Sequence, residues 1–536
     1  MKKKFFYNGT ILTMNPHYPT AKNLIAGDGL IEQIDVTEDT LEQMYSSANM
    51  EYIDLQGSIV LPGFHDSHMH LVEYGYNQKC CVDLSEATSA EDVVRRMRSF
   101  IEERQIPEGG WVIGSRWDQE KFSDKRLLSR IDMDQVSKRH YVFAKRVCIH
   151  VAAVNSKVLE LCGIHQNTYQ NNKYIGRYSD GMPDGRIYED GISNIVLAKK
   201  EAPSETEIEH IIEDTLQEIK RRGFTAVQSD DMKAFSDFTS KERILHAYNH
   251  LRNQGRLPIR VFEQIQVSSL EEFYRIREIL KSIPEDPWFS WSRLKLILDG
   301  SLGAETAAVS SPYKESKNQG FLNFSDKELD ALVKESYESH MQIMCHCIGD
   351  RAMEQAIRII TPYQRQYGKE QRPRLVHCQI GTRKLLRYMA QEGFLADIQP
   401  AFVPSDYEIV EKKLHIQKEQ VTYGWRTMIE REIPVSGGSD SPVECYDALY
   451  GIQTAVTRSN LEGIPERGWL PEERLTPQQA LALYTKGSAY AVKMEKKLGC
   501  IAPGYFSDFV ILKENPLLVP ADQIHNISIL ETHCGI

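Results

Sequence analysis

The sequence of 536 residues lacks three features that would place it in familiar classes of protein. It has no run of about 18 or more apolar residues, so we expect no membrane-spanning helix. Acidic residues outnumber basic ones by 75 to 64, which leaves no positive excess for nucleic acid or an anionic membrane. None of its ten cysteines forms a C-x-x-C pair, which argues against a zinc knuckle or a thioredoxin-like motif. We therefore expect a soluble cytoplasmic protein with reduced thiols.

The two ends of the chain contain short strand-like runs. In residues 1–60 the Asn8-Gly9 dipeptide interrupts the apolar start, which favours a type I′ hairpin over a signal peptide. A second set of strand-like runs lies in residues 490–536. Neither set has enough strands to bury a face alone. We therefore predict that the two sets combine into one small β-sandwich-like domain.

Between these ends, strand-like and helix-like runs alternate from about residue 205 onwards. Capping boxes, Ser204 with Glu207 and Ser325 with Glu328, indicate where two of the helices begin. Alternation of this kind implies parallel strands, and eight strands imply a closed (β/α)8 TIM barrel. The predicted strands are Ile59–Phe64, Phe224–Val227, Ile259–Val267, Leu294–Leu298, Gln342–Cys347, Arg374–Gln379, Leu395–Gln399 and Ile433–Ser436.

A segment near the start of this predicted barrel domain, residues 61–489, does not alternate. Residues from about 75 to 203 carry glycine-rich and aromatic stretches, such as Gly109–Gly114 and Arg116-Trp117-Asp118. We interpret the segment as an insertion after the first strand that packs partly on its own. We expect it to cover the barrel mouth, where the active sites of such barrels lie.

The strongest local motif is the pair His68 and His70, separated by one residue. Because side chains alternate across a strand, both histidines point to the same side. Two imidazoles at the C-terminal end of a strand can bind one metal ion such as Zn²⁺, although two ordinary surface histidines are the simpler alternative. The neighbouring Asp66 either orients one histidine or caps the turn.

Other metal-ligand residue types recur at the predicted strand ends. Lys295 lies inside an apolar strand, where a charge is costly unless it is neutralised or paired. His346 and His377 end the fifth and sixth strands, and Asp440 follows the eighth. Each has an ordinary alternative: a paired core lysine, satisfied core histidines and a helix N-cap. Together they favour a metal site, because all lie at the barrel face that carries active sites.

Longer motifs surround these residues. They are Pro62-Gly63-Phe64, Asp299-Gly300-Ser301-Leu302-Gly303, Gly349-Asp350-Arg351-Ala352, Gln399-Pro400 and Gly438-Ser439-Asp440-Ser441-Pro442-Val443. With them the sequence resembles the amidohydrolase superfamily of metal-dependent hydrolases, and more narrowly its YtcJ-like, N-substituted formamide deformylase-like group. The resemblance runs almost from end to end of the chain.

The resemblance implies a centre with divalent metal, expected to be one or two Zn²⁺ ions per chain. The implied ligands are His68, His70, Lys295, His346, His377 and Asp440. The first two histidines and the aspartate would hold one ion, the later histidines a second, and the lysine, carbamylated by CO₂, would bridge them. Asp440 would also be the catalytic residue, taking a proton from water and returning it to the leaving amine. The implied reaction is hydrolysis of an amide- or formamide-type C–N bond other than a peptide bond.

Seven residues near the expected mouth are candidates for contact with a small-molecule substrate. They are Trp111, Trp117, His150, Asp299, Ser301, Asp350 and Gln399. The chain also departs from the family pattern. Glu305 stands where the family usually has arginine, which alters the charge near the mouth, and Val376 stands where a glutamate usually precedes the strand-six histidine.

Two alternatives stay open at this point. One is a mononuclear, deaminase-like hydrolase of the same superfamily, in which Lys295 is only structural. The other is a non-catalytic barrel homologue with a binding or regulatory role, although its expected signature, loss of ligands, is not seen. Nucleic acid and membranes are not expected partners, and a homodimer is the default oligomer.

Overall fold

The computed structural model describes residues 3–37, 39, 41, 50–146, 151–170, 172, 174–188, 191–235 and 237–535. The chain divides into two compact units. The first comprises residues 1–71, 212–234 and 241–536, and the second comprises residues 72–211 and 235–240. Within the described ranges, no helix is both long and apolar enough to cross a membrane.

Parallel strands form the centre of the first unit. They are β1 (Phe64–Met69), β2 (Phe224–Ser229), β3 (Arg260–Glu263), β4 (Arg293–Ile297), β5 (Gln342–Cys347), β6 (Arg374–His377), β7 (Leu395–Ile398) and β8 (Val435–Gly437). One sheet has the order β1, β2, β3 and the short strand Phe289–Ser290. The other begins with Ile265–Gln266 and continues from β4 to β8 in chain order. Every pair is parallel, which is the α/β arrangement that the alternation predicts.

The segment that follows β8 approaches β1. The backbone N–H of Asp440 donates to the carbonyl of His68 at 2.7 Å, and the N–H of His70 donates to the carbonyl of Ser441 at 2.7 Å. In the part of the chain that the structure describes, no strand ladder joins β8 to β1. A continuous closed barrel therefore remains a prediction, while the C-terminal ends of the first and last strands lie side by side.

Helices separate the parallel strands along the chain. Both predicted capping boxes are confirmed: the N–H of Glu207 donates to Ser204 Oγ at 3.3 Å, and that of Glu328 to Ser325 Oγ at 3.3 Å. The α-helices are Leu71–Cys80, Ala90–Arg104, Arg130–Val136, Ser156–Leu161, Glu205–Arg221, Phe238–Asn253, Leu270–Leu280, Asp326–Glu338, Asp350–Tyr367, Arg383–Glu392, Phe402–Lys413, Trp425–Glu430, Ala448–Thr457, Pro477–Ala482 and Ser488–Ala491. A two-stranded sheet pairs Ile380–Thr382 with Gln420–Thr422.

Strands from both ends of the chain pair in one mixed sheet of the first unit. Its order is Ile529–His533, Phe509–Leu512, Ile59–Pro62, Thr10–Leu12 and Thr20–Ala21. A second mixed sheet has the order Leu30–Ile34, Leu24–Gly27, Lys3–Tyr7 and Met50–Asp54. Phe6, Val60 and Phe509 bury their side chains in one core. The predicted hairpin at Asn8-Gly9 is wrong, because the strands on its two sides pair in different sheets that share this core.

The predicted first barrel strand, Ile59–Phe64, is divided at Gly63. The residues before Gly63 pair in the mixed sheet, and those after it begin β1. The N–H of Gly63 donates to the carbonyl of Asp508 at 3.0 Å, and a Cβ at this position would lie 2.2 Å from the side chain of Thr225. The first parallel strand is therefore β1, which contains His68 itself.

The second unit has a sheet and a core of its own. The sheet order is Ile175–Arg177, Pro183–Tyr188, Val151–Val154, Tyr141–Arg146, Trp111–Trp117 and Cys81–Asp83. The core packs the buried side chains of Met97, Trp117, Met133 and Val142 together. The unit contains the residues of the predicted insertion, 75–203, and their origin as an insertion into a barrel stays a prediction. Its expected position over the barrel mouth stays a prediction.

Candidate metal centre

Two histidines and one aspartate meet at the C-terminal ends of β1 and β8. His68 Nε2 lies 3.2 Å from Asp440 Oδ1, and His70 Nε2 lies 3.1 Å from the same oxygen. One ligand atom from each of the three residues falls within 4.8 Å of the other two. His68 and Asp440 are buried, and His70 is partly buried. Imidazole nitrogens and a carboxylate oxygen in this arrangement are suited to a divalent ion such as Zn²⁺.

The outer nitrogens of both histidines are held by neighbouring strands. His68 Nδ1 contacts Gln264 Oε1 at 3.1 Å, and His70 Nδ1 contacts the backbone carbonyl of Asp230 at 2.7 Å. An acceptor at Nδ1 fixes the proton there, which turns the lone pair of Nε2 towards the centre. Gln264 and Asp230 follow β3 and β2, and no local sequence signal identified them.

Gln264→Leu is expected to weaken zinc binding by about 10–100-fold, because it removes the acceptor that orients His68. Zinc affinity can be measured by competition with a chromophoric chelator. Gln264→Glu keeps an acceptor oxygen and serves as the matched control, with a smaller loss expected. A leucine variant that bound zinc as tightly as the unmodified protein would show that this contact does not orient a ligand.

Lys295 extends from β4 into the same region. Its Nζ lies 3.1 Å from His68 Nε2, and the side chain is fully buried. Burial lowers the pKa of Lys295, although the carboxylates of Asp230 and Asp440 act in the opposite direction. A lowered pKa increases the fraction of neutral amine, which is the form that reacts with electrophiles or ligates metal.

His346 and His377 form the other side of the site. Their ring centroids are 4.4 Å apart, and the ring of His377 is 5.7 Å from that of His68. His377 Nδ1 contacts Gln399 Oε1 at 2.8 Å, which leaves Nε2 for a ligand. His346 contacts the carbonyl of Gly300 through Nε2 at 3.1 Å, so its Nδ1 is the nitrogen available to the centre.

The site favours the protonation states that metal binding needs. Burial, followed by the charge of Lys295, lowers the pKa of His68 to about 3 and that of His346 to about 4. Burial also lowers the pKa of His377. Burial alone would raise the pKa of Asp440, but its contacts with His68 and His70 hold it well below its usual range. Neutral imidazoles and an ionised carboxylate are the ligating forms.

Two predicted site residues, Asp299 and Asp350, and the neighbour of the histidine pair, Asp66, hold the backbone. The carboxylate of Asp299 accepts backbone N–H groups from residues 308, 348 and 349, and it is fully buried. Asp350 accepts the N–H of Ser310 at 2.7 Å and the amide of Gln420 at 3.2 Å. Asp66 accepts the N–H groups of residues 68 and 439, which ties β1 to the segment after β8. These contacts give Asp299 and Asp350 a structural role, and their predicted contact with a substrate stays a prediction.

The remaining substrate candidates fall in different environments. Gln399 orients His377, as described above, and Ser301 is exposed in the loop after β4. In the second unit, Trp117 is fully buried and donates its indole N–H to the carbonyl of residue 144, so it is a core residue. Trp111 is half-buried against Tyr141. His150 lies outside the described residues.

The structure accommodates the two residues that depart from the family pattern, Glu305 and Val376. Glu305 Oε1 lies 3.3 Å from Lys413 Nζ, and Lys413 also donates to the carbonyl of Gly303 at 2.7 Å. The pair neutralises the added negative charge and links the loop after β4 to the helix after β7. Val376 is fully buried between neighbouring strands, where an apolar side chain is suited.

Comparison with known proteins identifies the family of the chain. A family model described as "Amidohydrolase family" matches residues 51–535. A Bacillus subtilis (strain 168) protein that carries the name amidohydrolase YtcJ is 29% identical over 532 residues, covering 99% of this chain and 98% of its own. The N-substituted formamide deformylase of Arthrobacter pascens is 22% identical, covering 99% and 97%. A crystal structure of an uncharacterized metal-dependent hydrolase from Pyrococcus furiosus has a TM-score of 0.78 at 25% identity, covering 96% and 100%.

Proposed function

The chain belongs to the amidohydrolase family, and we propose that it is a zinc-dependent enzyme that hydrolyses an amide-type C–N bond, other than a peptide bond, in a small molecule. The observation that carries this proposal is the convergence of His68, His70 and Asp440 beside the buried amine of Lys295. The deformylase named among its relatives makes N-formyl amines the first substrates to test. We place the enzyme in the cytoplasm.

Two ions would be held by different residues of the chain. His68, His70 and Asp440 would hold one, and His346 and His377 would hold the other. The neutral amine of Lys295 can add to CO₂, with loss of one proton, to give a carbamate. That change would turn a buried cation into an anionic oxygen ligand and remove the cost of burying its charge.

The ions, when bound, would lower the pKa of a water molecule towards neutrality and withdraw electrons from the scissile carbonyl. Asp440 would accept the proton of that water at its carboxylate, which its low pKa keeps ionised. It would then return the proton to the leaving amine. Gln264 and Gln399 would hold the imidazole rings of His68 and His377 in fixed orientations during both proton transfers.

A second candidate function is a mononuclear hydrolase of the same superfamily. One observation favours it: among the described residues, the group of three or more His, Cys, Asp or Glu ligand atoms contains His68, His70 and Asp440 but neither His346 nor His377. In this version Lys295 would act only as a buried amine beside His68. The number of ions per chain separates the two candidates.

A hydrolysis screen tests the proposed function. The metal-free protein is reconstituted with Zn²⁺ and bicarbonate and assayed with N-formyl, N-acetyl and cyclic amides for release of amine. We expect turnover of at least one class, and its loss after treatment with a chelator. Restoration by added Zn²⁺ separates removal of the metal from damage to the protein.

The test variant for this screen is His68→Ala, and its matched control is His415→Ala. His415 is an exposed histidine outside the three-residue ligand group, so its replacement should leave activity unchanged. A zinc-loaded protein that hydrolysed none of these amides would contradict the proposal. So would a His68→Ala variant with full activity. Zinc binding without turnover would favour the non-catalytic, ligand-binding alternative.

A further inference from the structure

A cavity of about 460 Å³ opens at the N-terminal ends of the parallel strands, away from the metal centre. Arg293 and Gln342, the first residues of β4 and β5, lie in its wall, as does Phe262 of β3. Val492 and Met494 add apolar surface from the other side. The volume is typical of a site for a small ligand.

Arg293 is the unusual member of this cavity. Its side chain is almost fully buried, with 6% of the residue exposed. One guanidinium nitrogen, Nη1, donates to Ser290 Oγ at 3.0 Å, while the buried Nε has no acceptor among the described residues. The guanidinium carbon lies 5.1 Å from the centroid of the Phe262 ring. A buried guanidinium without an anionic partner is costly, so the arrangement favours an added anion.

Two other buried arginines of the first unit, Arg260 and Arg374, do have such a partner, whereas the buried Arg458 donates to the backbone carbonyls of residues 469 and 423 instead. Arg260 donates to the carboxylate of Asp508 at 2.7 Å and 3.1 Å. Arg374 donates through Nε to Asp397 at 2.8 Å. For Arg293, no carboxylate oxygen lies within 4.0 Å in the part of the chain that the structure describes. The contrast points to a ligand rather than to a structural ion pair.

The acidic residues of the same wall are already occupied. Glu285 accepts the backbone N–H groups of Trp291 at 2.6 Å and of Ser292 at 2.9 Å. Asp286 accepts the N–H groups of residues 288 and 289, at 2.7 Å and 3.1 Å, and lies 3.6 Å from Arg252. Their carboxylate oxygens therefore accept from the loop before β4 and make no direct contact with the guanidinium, although the charge of Glu285 still acts on Arg293.

Two more residues add positive charge or donors near the opening. Lys493 is exposed, and its ammonium donates to Gln371 at 3.2 Å. His340 is exposed at the cavity wall just before β5. Both side chains line the same cavity as Arg293, and the ammonium of Lys493 adds to the attraction for an anion.

We propose that this cavity binds a small organic carboxylate, with the carboxylate against the guanidinium of Arg293 and the apolar body against Phe262 and Met494. The planar guanidinium fork matches a carboxylate, and the apolar walls suit the rest of an organic acid better than a bare inorganic ion. The site is separate from the catalytic proposal, since none of its residues is a candidate metal ligand.

Methionine-methyl NMR of the full-length, zinc-loaded protein tests the proposal with benzoate as the ligand. The methyl resonance of Met494, assigned by its absence in Met494→Leu, should shift on titration, whereas those of Met69 and Met344 report on the metal centre. Arg293→Met should weaken the benzoate response of Met494 at least about tenfold, and Arg293→Lys should have an intermediate effect. The control, Arg431→Met, changes an arginine outside the cavity and should leave the response unchanged.

Two comparison ligands separate the chemistries. Benzyl alcohol, a neutral analogue, should bind at least about tenfold more weakly than benzoate, and inorganic phosphate should not compete with benzoate at equal concentration. The proposal is overturned if Arg293→Met leaves the Met494 response within twofold of the original. It is equally overturned if benzyl alcohol binds as well as benzoate, or if phosphate displaces it at equal concentration. A shift confined to Met69 and Met344 would also overturn it.

Discussion

Asp440→Asn should lower kcat by at least about 10³-fold towards whichever amide the zinc-loaded protein hydrolyses. The substitution keeps the size and shape of the side chain but removes the carboxylate that would accept and return the proton. It also removes the anionic oxygen that His68 and His70 contact at 3.2 Å and 3.1 Å. Steady-state rates, together with the zinc content of the same sample, measure both consequences.

Asp447→Asn is the matched control for this variant. Asp447 caps the helix Ala448–Thr457 by accepting the N–H of Tyr450 at 3.0 Å, and asparagine caps a helix equally well. The same chemical change further along the same segment should therefore leave kcat within about twofold of its original value. An Asp440→Asn enzyme that retained a tenth or more of the activity would remove Asp440 from the proton-transfer role.

Asp397→Ala should lower the free energy of unfolding by about 3–5 kcal/mol. Asp397 in β7 and Arg374 in β6 are both fully buried, and Ser436 in β8 also donates to Asp397. Removing the carboxylate leaves the guanidinium charged in the interior, with the carbonyl of Ser67 still accepting from Nη2 but no anion beside it. The midpoint of guanidinium chloride denaturation, followed by tryptophan fluorescence, measures the loss.

An exposed ion pair of the same two residue types separates the effect of burial from the effect of losing an ion pair. Asp326 binds Arg358 at 2.8 Å, and its side chain is 58% exposed. Asp326→Ala should therefore cost no more than about 1 kcal/mol. The double variant Arg374→Met with Asp397→Leu should recover most of the loss, because it removes both charges together. A loss below about 1 kcal/mol for Asp397→Ala would show that the buried pair does not stabilise the strands.

The candidate ligands could be predicted from the sequence because each breaks a local rule. Lys295 interrupts an apolar strand, and His346 and Asp440 stand at the ends of strands or just after them. Parallel strands bring their C-terminal ends together, so residues far apart in the chain meet at one place. Local pattern and topology are therefore sufficient to propose these positions as candidate ligands.

The residues that support the ligands could not be predicted in the same way. Gln264 contacts His68, which lies 196 residues away in the sequence. Nothing in the residues around Gln264 indicates that its amide has this role. The position of Asp299 after β4 predicts a residue at the barrel mouth. In the structure its carboxylate accepts hydrogen bonds from three backbone N–H groups of other loops. Tertiary contacts decide such roles, and periodicity does not encode them.

The predicted strand boundaries are wrong where one continuous segment contributes to two different sheets. The apolar run before His68 is continuous in sequence, but at Gly63 the close approach of Thr225 and the bond to Asp508 direct the chain from one sheet into another. The turn residues Asn8 and Gly9 likewise connect two sheets instead of forming a hairpin. At Gly63 the partner strand of the preceding residues, Phe509–Leu512, lies hundreds of residues away in the sequence. At Asn8-Gly9 the two flanking strands belong to different sheets.

The most direct test of the proposed centre is the zinc content of the reconstituted protein with and without bicarbonate. The dinuclear scheme predicts two ions per chain with bicarbonate, fewer without it, and amide hydrolysis that rises in proportion to the second ion. Lys295→Met should abolish the dependence on bicarbonate. One ion per chain in both conditions, with full activity and no response to bicarbonate, would contradict the scheme.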